Sequence, residues 1–321
     1  MTSPSLSVIL ATPDTYATIG RTVRRLNAQT EAGRVEVAFV VASREGFAVP
    51  EADVDRLHSF QVVEHVVVDH LSEARAAGVL AARGEFVAVG EDHSFPHADW
   101  AERLLAAHAQ GHDIVGACLC NPEPANALGW ADLIINFSGV TAPCESGLRM
   151  AVGGHNASYR RELLLSARDR LADIMQLEFL FHLEQSRRGK LAWLDGAALT
   201  DHHNITNARV YLSHKWLGGR LYGALRSRGW PAGKRLVVGM LACGAPVLRL
   251  WRMRGDFARL QRAHGCVPRA MPWMIAGLVV HAAGEVFGAL LGEGDCRRHY
   301  WRGEFQRDGL ARVAEAGAYT T

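Results

Sequence analysis

Apolar residues fall in short, almost unbroken runs at residues 6–11, 35–42, 62–68, 85–89 and 113–119. Runs of that length without polar alternation are what strands covered on both faces require. Between them the spacing becomes helical. Ile19, Val23 and Leu26 repeat within residues 18–30, an Ala-rich stretch fills 72–82, and residues 97–110 keep the same period. Strands alternating with helices predict a parallel, doubly wound α/β sheet with ligands at the carboxyl ends of its strands.

The alternation stops at residues 121–152, where Pro122, Pro124, Gly129, Gly139, Pro143 and Gly147 predict loops folded over a site. The turn Gly153-Gly154-His155-Asn156-Ala157-Ser158 then precedes a helix bearing Arg160, Arg161 and Glu162. One continuous apolar helix is expected over residues 171–188, closed by Gly189 as its C-cap. A short strand at 191–194 leads to Thr200-Asp201-His202-His203-Asn204.

From residue 207 the character changes, so the chain is read as an α/β domain over residues 1–206 and a helical region over 207–321. After a helix at 207–228 come two long apolar runs, 235–251 with Pro246 and 271–291 interrupted only by His281 and Glu285. The first is short for a bilayer span and the second only just reaches the roughly 20 residues needed. Arg and Trp flank both (Trp230, Trp251, Trp273, Trp301). That mixture predicts amphipathic helices lying in a membrane interface or dipping into it; two core helices packed on the sheet domain are the alternative.

Composition adds little until it is localised. The net charge of +2 gives no global field for nucleic acid, yet residues 225–270 hold ten Lys or Arg against one acid, Asp256. The six cysteines are scattered, only Cys118 and Cys120 being close, so neither a zinc pattern nor a disulfide framework is expected. No basic segment followed by a long apolar run opens the chain. The expectation is reduced thiols in a cytosolic compartment and no signal peptide.

Candidate chemistry centres on Glu91-Asp92-His93, which follows the apolar run Val87-Ala88-Val89. Two carboxylates and an imidazole at a strand end can hold a divalent cation and, through it, a phosphate.

Four stretches, in this order, resemble the family 2 glycosyltransferases of GT-A fold, over roughly the first 225 residues. They are Leu6-Ser7-Val8-Ile9-Leu10-Ala11-Thr12-Pro13, the segment from Ala76 through Gly84-Glu85-Phe86-Val87, the acidic Glu91-Asp92-His93, and Gly153-Gly154-His155-Asn156-Ala157-Ser158-Tyr159-Arg160-Arg161-Glu162. Gly218-Gly219-Arg220-Leu221-Tyr222-Gly223-Ala224 and Ala283-Gly284-Glu285-Val286-Phe287-Gly288 are similar to the membrane-associated tails of bacterial members. Two departures stand out. His93 occupies a place where the family usually has Asp, and Ala42-Ser43-Arg44-Glu45 replaces the usual acid after the second strand.

The resemblance implies a GT-A-like catalytic domain that moves a sugar from a nucleotide-diphosphate donor, with inversion, to a saccharide or lipid-linked acceptor. The place of work would be the cytoplasmic face of the inner membrane. It implies donor contacts at Ala11, Thr12, Pro13, Ser43, Arg75, Glu91 and Asp92. The cation, Mn²⁺ or Mg²⁺, would be held by Asp92, His93 and one histidine of the His202-His203 pair. His203 is selected because in related sequences the histidine lies directly before a small polar residue. The imidazole shifts the preference towards Mn²⁺. Glu178, spaced from an Arg-Arg-Gly helix end as the family's base is, would take the acceptor's proton, with Glu184 as the backup. Gly154, His155, Asn156 and His182 would face the acceptor. Helical spacing puts Glu178, His182 and Gln185 on one face of their helix, a stripe that a solvated or salt-bridged surface would explain equally. A nucleotidyltransferase on a similar sheet and a degenerate, membrane-bound scaffold are the alternatives. Against the first, Thr12-Pro13-Asp14 is a poor match to a Gly-rich basic loop.

Overall fold

A computed structural model describes residues 3–13, 15–67, 70–154, 156–296 and 299–300. In chain order its elements begin with β1 (Leu6–Thr12), α1 (Tyr16–Asn27), β2 (Val35–Val41), β3 (Ser59–Glu64), α2 (Leu71–Ala81), β4 (Phe86–Val89) and β5 (Ser94–Pro96). There follow α3 (Trp100–Ala109), β6 (Ile114–Cys120), α4 (Ala127–Phe137), β7 (Gly147–Arg149), β8 (Ser158–Arg160), α5 (Arg161–Leu165), α6 (Leu171–Gln176), α7 (Glu178–Arg187) and β9 (Ala192–His202). The chain continues through α8 (Ala208–Arg226), α9 (Ala232–Ala242), α10 (Ala245–Arg252), α11 (Arg254–His264) and α12 (Val267–Leu291).

The described residues divide into two compact units, one of residues up to 120 with 142–202, the other of residues 121–141 with those from 203 onward. The sequence boundary after residue 206 lies close to the division at His202, but residues 121–141 belong with the C-terminal part.

In the first unit the strands run β3-β2-β1-β4-β8-β6-β9-β5, with β7 added to β9. β1 to β4 are mutually parallel, as the sequence predicts, and β6 is parallel to β9. The fold is mixed α/β with a parallel-dominant sheet. Every residue of β2 is buried, because α1 presents Ile19, Val23 and Leu26 to one face and α2 covers the other. α2 lies so close that a Cβ on Gly78 would run into the Ile9 side chain.

Several elements depart from the expectation. β5, β7 and β8 are three-residue antiparallel strands, too short to leave a period in the sequence. β3 runs over Ser59–Glu64, upstream of the predicted 62–68. β9 extends to His202, where only 191–194 was expected, because a register shift opposite Ala117 and Cys118 carries the strand past Gly196. The supposed loops of 121–152 contain α4, started by Asn126, whose side-chain oxygen accepts from the Gly129 N–H at 2.9 Å. The predicted helix 171–188 breaks at Leu177, extended at φ −147°, into α6 and α7.

The second unit is helical. α8 and α12 approach backbone to backbone: a Cβ at Gly219 would meet the His281 carbonyl, and one at Gly288 the Arg220 carbonyl. Beside them, Lys215 donates at 2.6 Å to Asp132, both buried. The apolar run 235–251 is not one helix but α9 and α10, parted at Cys243-Gly244. α12 is long and apolar enough to cross a membrane, and 44% of its most apolar window is buried within the protein.

Candidate active site

β4 is the hinge of the site. It pairs with β1 from Phe86 to Val89, and Gly90 continues this by donating to the Ile9 carbonyl at 2.9 Å. The chain then turns, so Glu91, Asp92 and His93 emerge at the carboxyl edge of the sheet near Thr12 and Pro13, the end of β1. Thr22 on α1 pins this turn by donating to the Glu91 carbonyl at 3.0 Å. Glu91 is buried and accepts from Ser94 Oγ at 3.0 Å. Arg75, buried on α2, stands 3.8 Å from its other oxygen.

His93 is buried and bonded to Asp92, Nδ1 to Oδ1 at 2.6 Å. An ionised carboxylate only accepts, so Nδ1 carries the proton, and in the neutral ring Nε2 keeps its lone pair. That Nε2 is buried without a hydrogen bond, 3.4 Å from Glu91 Oε2. His202, at the end of β9, brings its Nε2 to 3.8 Å from the same oxygen, with its ring edge-on to His93 at 5.0 Å. Ligating atoms of Glu91, His93 and His202 all lie within 4.8 Å of one another. A carboxylate and an imidazole whose lone pair faces it repel one another unless a cation sits between them, and His202 adds a second imidazole. The donor set fits a divalent ion, and favours Mn²⁺ or another transition metal over Mg²⁺.

The structure thus distributes the sequence candidates differently. Asp92 reaches His93 rather than the cluster. Of the adjacent histidines it is His202, not His203, that joins Glu91 and His93; His203 Nδ1 lies 3.3 Å from Glu123 in the second unit. The signal for His202 was the strand period. Ala198, Thr200 and His202 are buried on β9 while Leu199 and Asp201 are less so, but the strand was read as ending before it reached them. Ser43, after β2, is exposed and accepts the Glu45 N–H at 3.1 Å, and Arg44 N–H bonds Glu64.

Opposite the cluster, Asn156 donates its N–H to the Val89 carbonyl at 2.8 Å and holds the left-handed φ of 62°, which Asn tolerates. Its Nδ2 is buried without a hydrogen bond. This fastens the Gly153–Ala157 turn to the end of β4; His155 lies outside the described residues. Gly154 faces Glu178, and a Cβ there would lie 2.7 Å from Glu178 Cβ. Glu178 opens α7 and is buried with Phe181, His182 and Gln185, while Phe179 and Leu180 are exposed. The polar stripe therefore faces inward, and a solvated face does not explain it. Glu184 instead pairs with Arg170 and Arg188.

His182 has both ring nitrogens occupied by the protein. Nδ1 accepts from the Val152 N–H at 3.4 Å, and Nε2 lies 2.9 Å from the Tyr159 hydroxyl. Burial lowers its pKa to about 4. The Tyr159 phenol is raised well above its ordinary value by burial and then by the Glu178 charge, with Arg75 opposing. Tyr159, Glu178 and Arg75 thus share one electrostatic neighbourhood, and Arg75 leads on to Glu91.

Residues 7–166 match the family model described as glycosyl transferase family 2, so the chain carries a domain of that family and is a glycosyltransferase. In fold it is similar to the mannosyltransferase PcManGT from Pyrobaculum calidifontis, solved in complex with GDP-Man and Mn2+, at 16% identity and a TM-score of 0.51 over 89% of this chain and 88% of that one. A further similar structure is S. aureus TarS 1–349, at 14% identity and a TM-score of 0.46 over 99% and 93% of the two chains. No curated protein matches the chain.

Proposed function

We propose that the protein transfers a sugar, with inversion, from a nucleoside-diphosphate donor to a hydroxyl of a saccharide or lipid-linked saccharide at a membrane surface, using a divalent cation. The observation that carries this is the buried, unbonded His93 Nε2 turned towards Glu91 beside His202. In this reading Glu91, His93 and His202 hold the cation. Asp92 fixes the His93 tautomer, a positioning role that in metal sites is worth about 10- to 100-fold in affinity. The cation, when bound, supplies positive charge to the departing diphosphate.

Glu178 stands on the other side of the site. As the acceptor oxygen bonds to the anomeric carbon, the bond from that carbon to the diphosphate breaks, and Glu178 takes the hydroxyl proton. Asn156 Nδ2 orients the acceptor. Ala11, Thr12, Pro13 and Ser43 line the strand ends where the nucleoside would lie. The fold neighbour's GDP-Man and Mn2+ belong to the same chemical class of donor and metal.

Membrane attachment is assigned to α9 and α10. Leu236, Val237, Met240, Leu241, Val247, Leu248 and Trp251 are exposed there, among Lys234, Arg235, Arg252 and Arg254. Exposed apolar side chains ringed by cations suit the anionic cytoplasmic leaflet. Sedimentation with phosphatidylglycerol vesicles, lost in Leu241→Asp with Val247→Asp, is the expected result; unchanged binding rejects the assignment.

The reading is tested by a thermal-shift panel of nucleotide sugars with and without Mn²⁺, beside an assay of released nucleoside diphosphate. One donor should raise the melting temperature only with metal. Glu178→Gln should keep that shift and lose transfer; full activity in this variant overturns the base.

A further inference from the structure

β9 has a second face. Asp201 points away from His202, as successive strand residues must. It is the register partner of Phe95 on β5 and of Cys120 on β6, so three strand ends meet at this residue. His97, just beyond β5, is held by its N–H to the Leu199 carbonyl at 3.0 Å and brings Nε2 to 3.0 Å from Asp201 Oδ1. The ligating atoms of His97, Cys120 and Asp201 all lie within 4.8 Å of one another, and all three side chains are partly open to solvent.

We propose that His97, Cys120 and Asp201 form a second metal site, for Zn²⁺, on the face of β9 opposite His202. A nitrogen and an oxygen each bound at about 2.0 Å in a tetrahedron stand about 3.3 Å apart, close to the His97–Asp201 separation. A thiolate completes a borderline-soft donor set that suits Zn²⁺ and disfavours Mg²⁺, which sets this site apart from the Glu91 cluster. The fourth position is left to water; Cys144 lies near but outside the set. Its backbone is held against β9, since a Cβ on Gly196 would collide with the Cys144 carbonyl and the Gly196 N–H bonds Ser146 Oγ at 2.9 Å. Burial pushes the Cys120 thiol up, and the Asp201 charge and then Cys144 add to this. Neither cysteine is in a disulfide. On binding, the Cys120 thiol yields its proton to solvent as the metal–sulfur bond forms. The ion would tie β5, β6 and β9 together directly behind the strand end that presents His202.

The test uses the full-length, reduced protein stripped of metal and titrated with Co²⁺ as the spectroscopic stand-in for Zn²⁺. Expected is a saturable thiolate-to-cobalt charge-transfer band that is displaced by Zn²⁺. It should disappear in Cys120→Ser, weaken in His97→Gln, and survive in His93→Ala and Cys243→Ser. Circular dichroism of each variant checks folding, and His97→Gln, at a side chain 40% exposed, serves where Cys120→Ser is unstable. Absence of the band in the wild type, its persistence in Cys120→Ser, its full strength in a folded His97→Gln, or its loss in His93→Ala would each overturn the proposal. The last result would place the metal at the Glu91 cluster alone.

Discussion

Two buried glutamates sit at opposite ends of the same parallel strands, and their surroundings differ in kind. Glu36, at the amino end, accepts from Ser7 Oγ at 2.5 Å, the Arg83 N–H at 2.9 Å, Arg83 Nε at 2.5 Å and Gln61 at 3.3 Å. Around Glu91, at the carboxyl end, Ser94 Oγ donates at 3.0 Å while the nitrogens of His93, His202 and Arg75 stand at 3.4, 3.8 and 3.8 Å. A carboxylate whose donors have closed on it is finished and belongs to the fold. One that keeps three nitrogens at longer range leaves room among them for a cation. Burial alone does not separate these cases; the distances do.

The contrast is broken most directly at His93. His93→Ala should lower transfer by about 100-fold or more, since ligand loss exceeds the usual cost of losing an outer partner. In the metal-free protein the melting temperature should stay level or rise, because an unsatisfied buried nitrogen goes with the ring. A large loss of stability in the metal chelator EDTA would place His93 with Glu36 as a structural group. Glu36→Ala should behave oppositely. Removing the acceptor of four donors should destabilise by about 3 kcal/mol or more in urea unfolding, with activity per folded molecule unchanged. Inactivity of the folded variant would erase the distinction.

The smallest effect sharpens the comparison at His182, a buried polar group with both nitrogens satisfied although it lies beside the site. Its folded pKa of about 4 is below the unfolded value of about 6.5, so the ring stays neutral in the native protein while the unfolded chain takes up a proton. Its contribution is complete above about pH 6.5 and is lost as pH falls towards 4. Between pH 7.5 and 6 the loss is about 0.8 kcal/mol. His182→Gln should flatten the urea-measured pH dependence by that amount; an unchanged slope assigns it elsewhere.

The parallel half of the sheet was legible because β1, β2, β4 and β6 are covered on both faces and spell that out as apolar runs. The short strands β5, β7 and β8 were not, since three residues carry no measurable period. α4 was hidden by its neighbouring prolines and glycines, although its Asn126 cap was present to be read. At the candidate site, the acidic turn is legible in the sequence, while Glu178 is proposed by resemblance rather than by periodicity. Periodicity would have misled there, because α7 turns its polar stripe inward and leaves Phe179 and Leu180 outside. His203 is favoured by the resemblance, whereas the burial period of β9 places His202 beside Glu91. The glycines of 218–224 and 283–288, read as a tail signature, are the meeting surface of α8 and α12.

The Asn156 N–H on the Val89 carbonyl has a mechanical consequence. The turn with Glu91 grows from the end of β4, and the loop that packs on Glu178 is fastened at that same end. Vibration or bending of the strand is therefore common-mode for the two sides: both move together and the gap between them is preserved. A substrate lying between them would meet two walls that share one hydrogen-bonded strand tip.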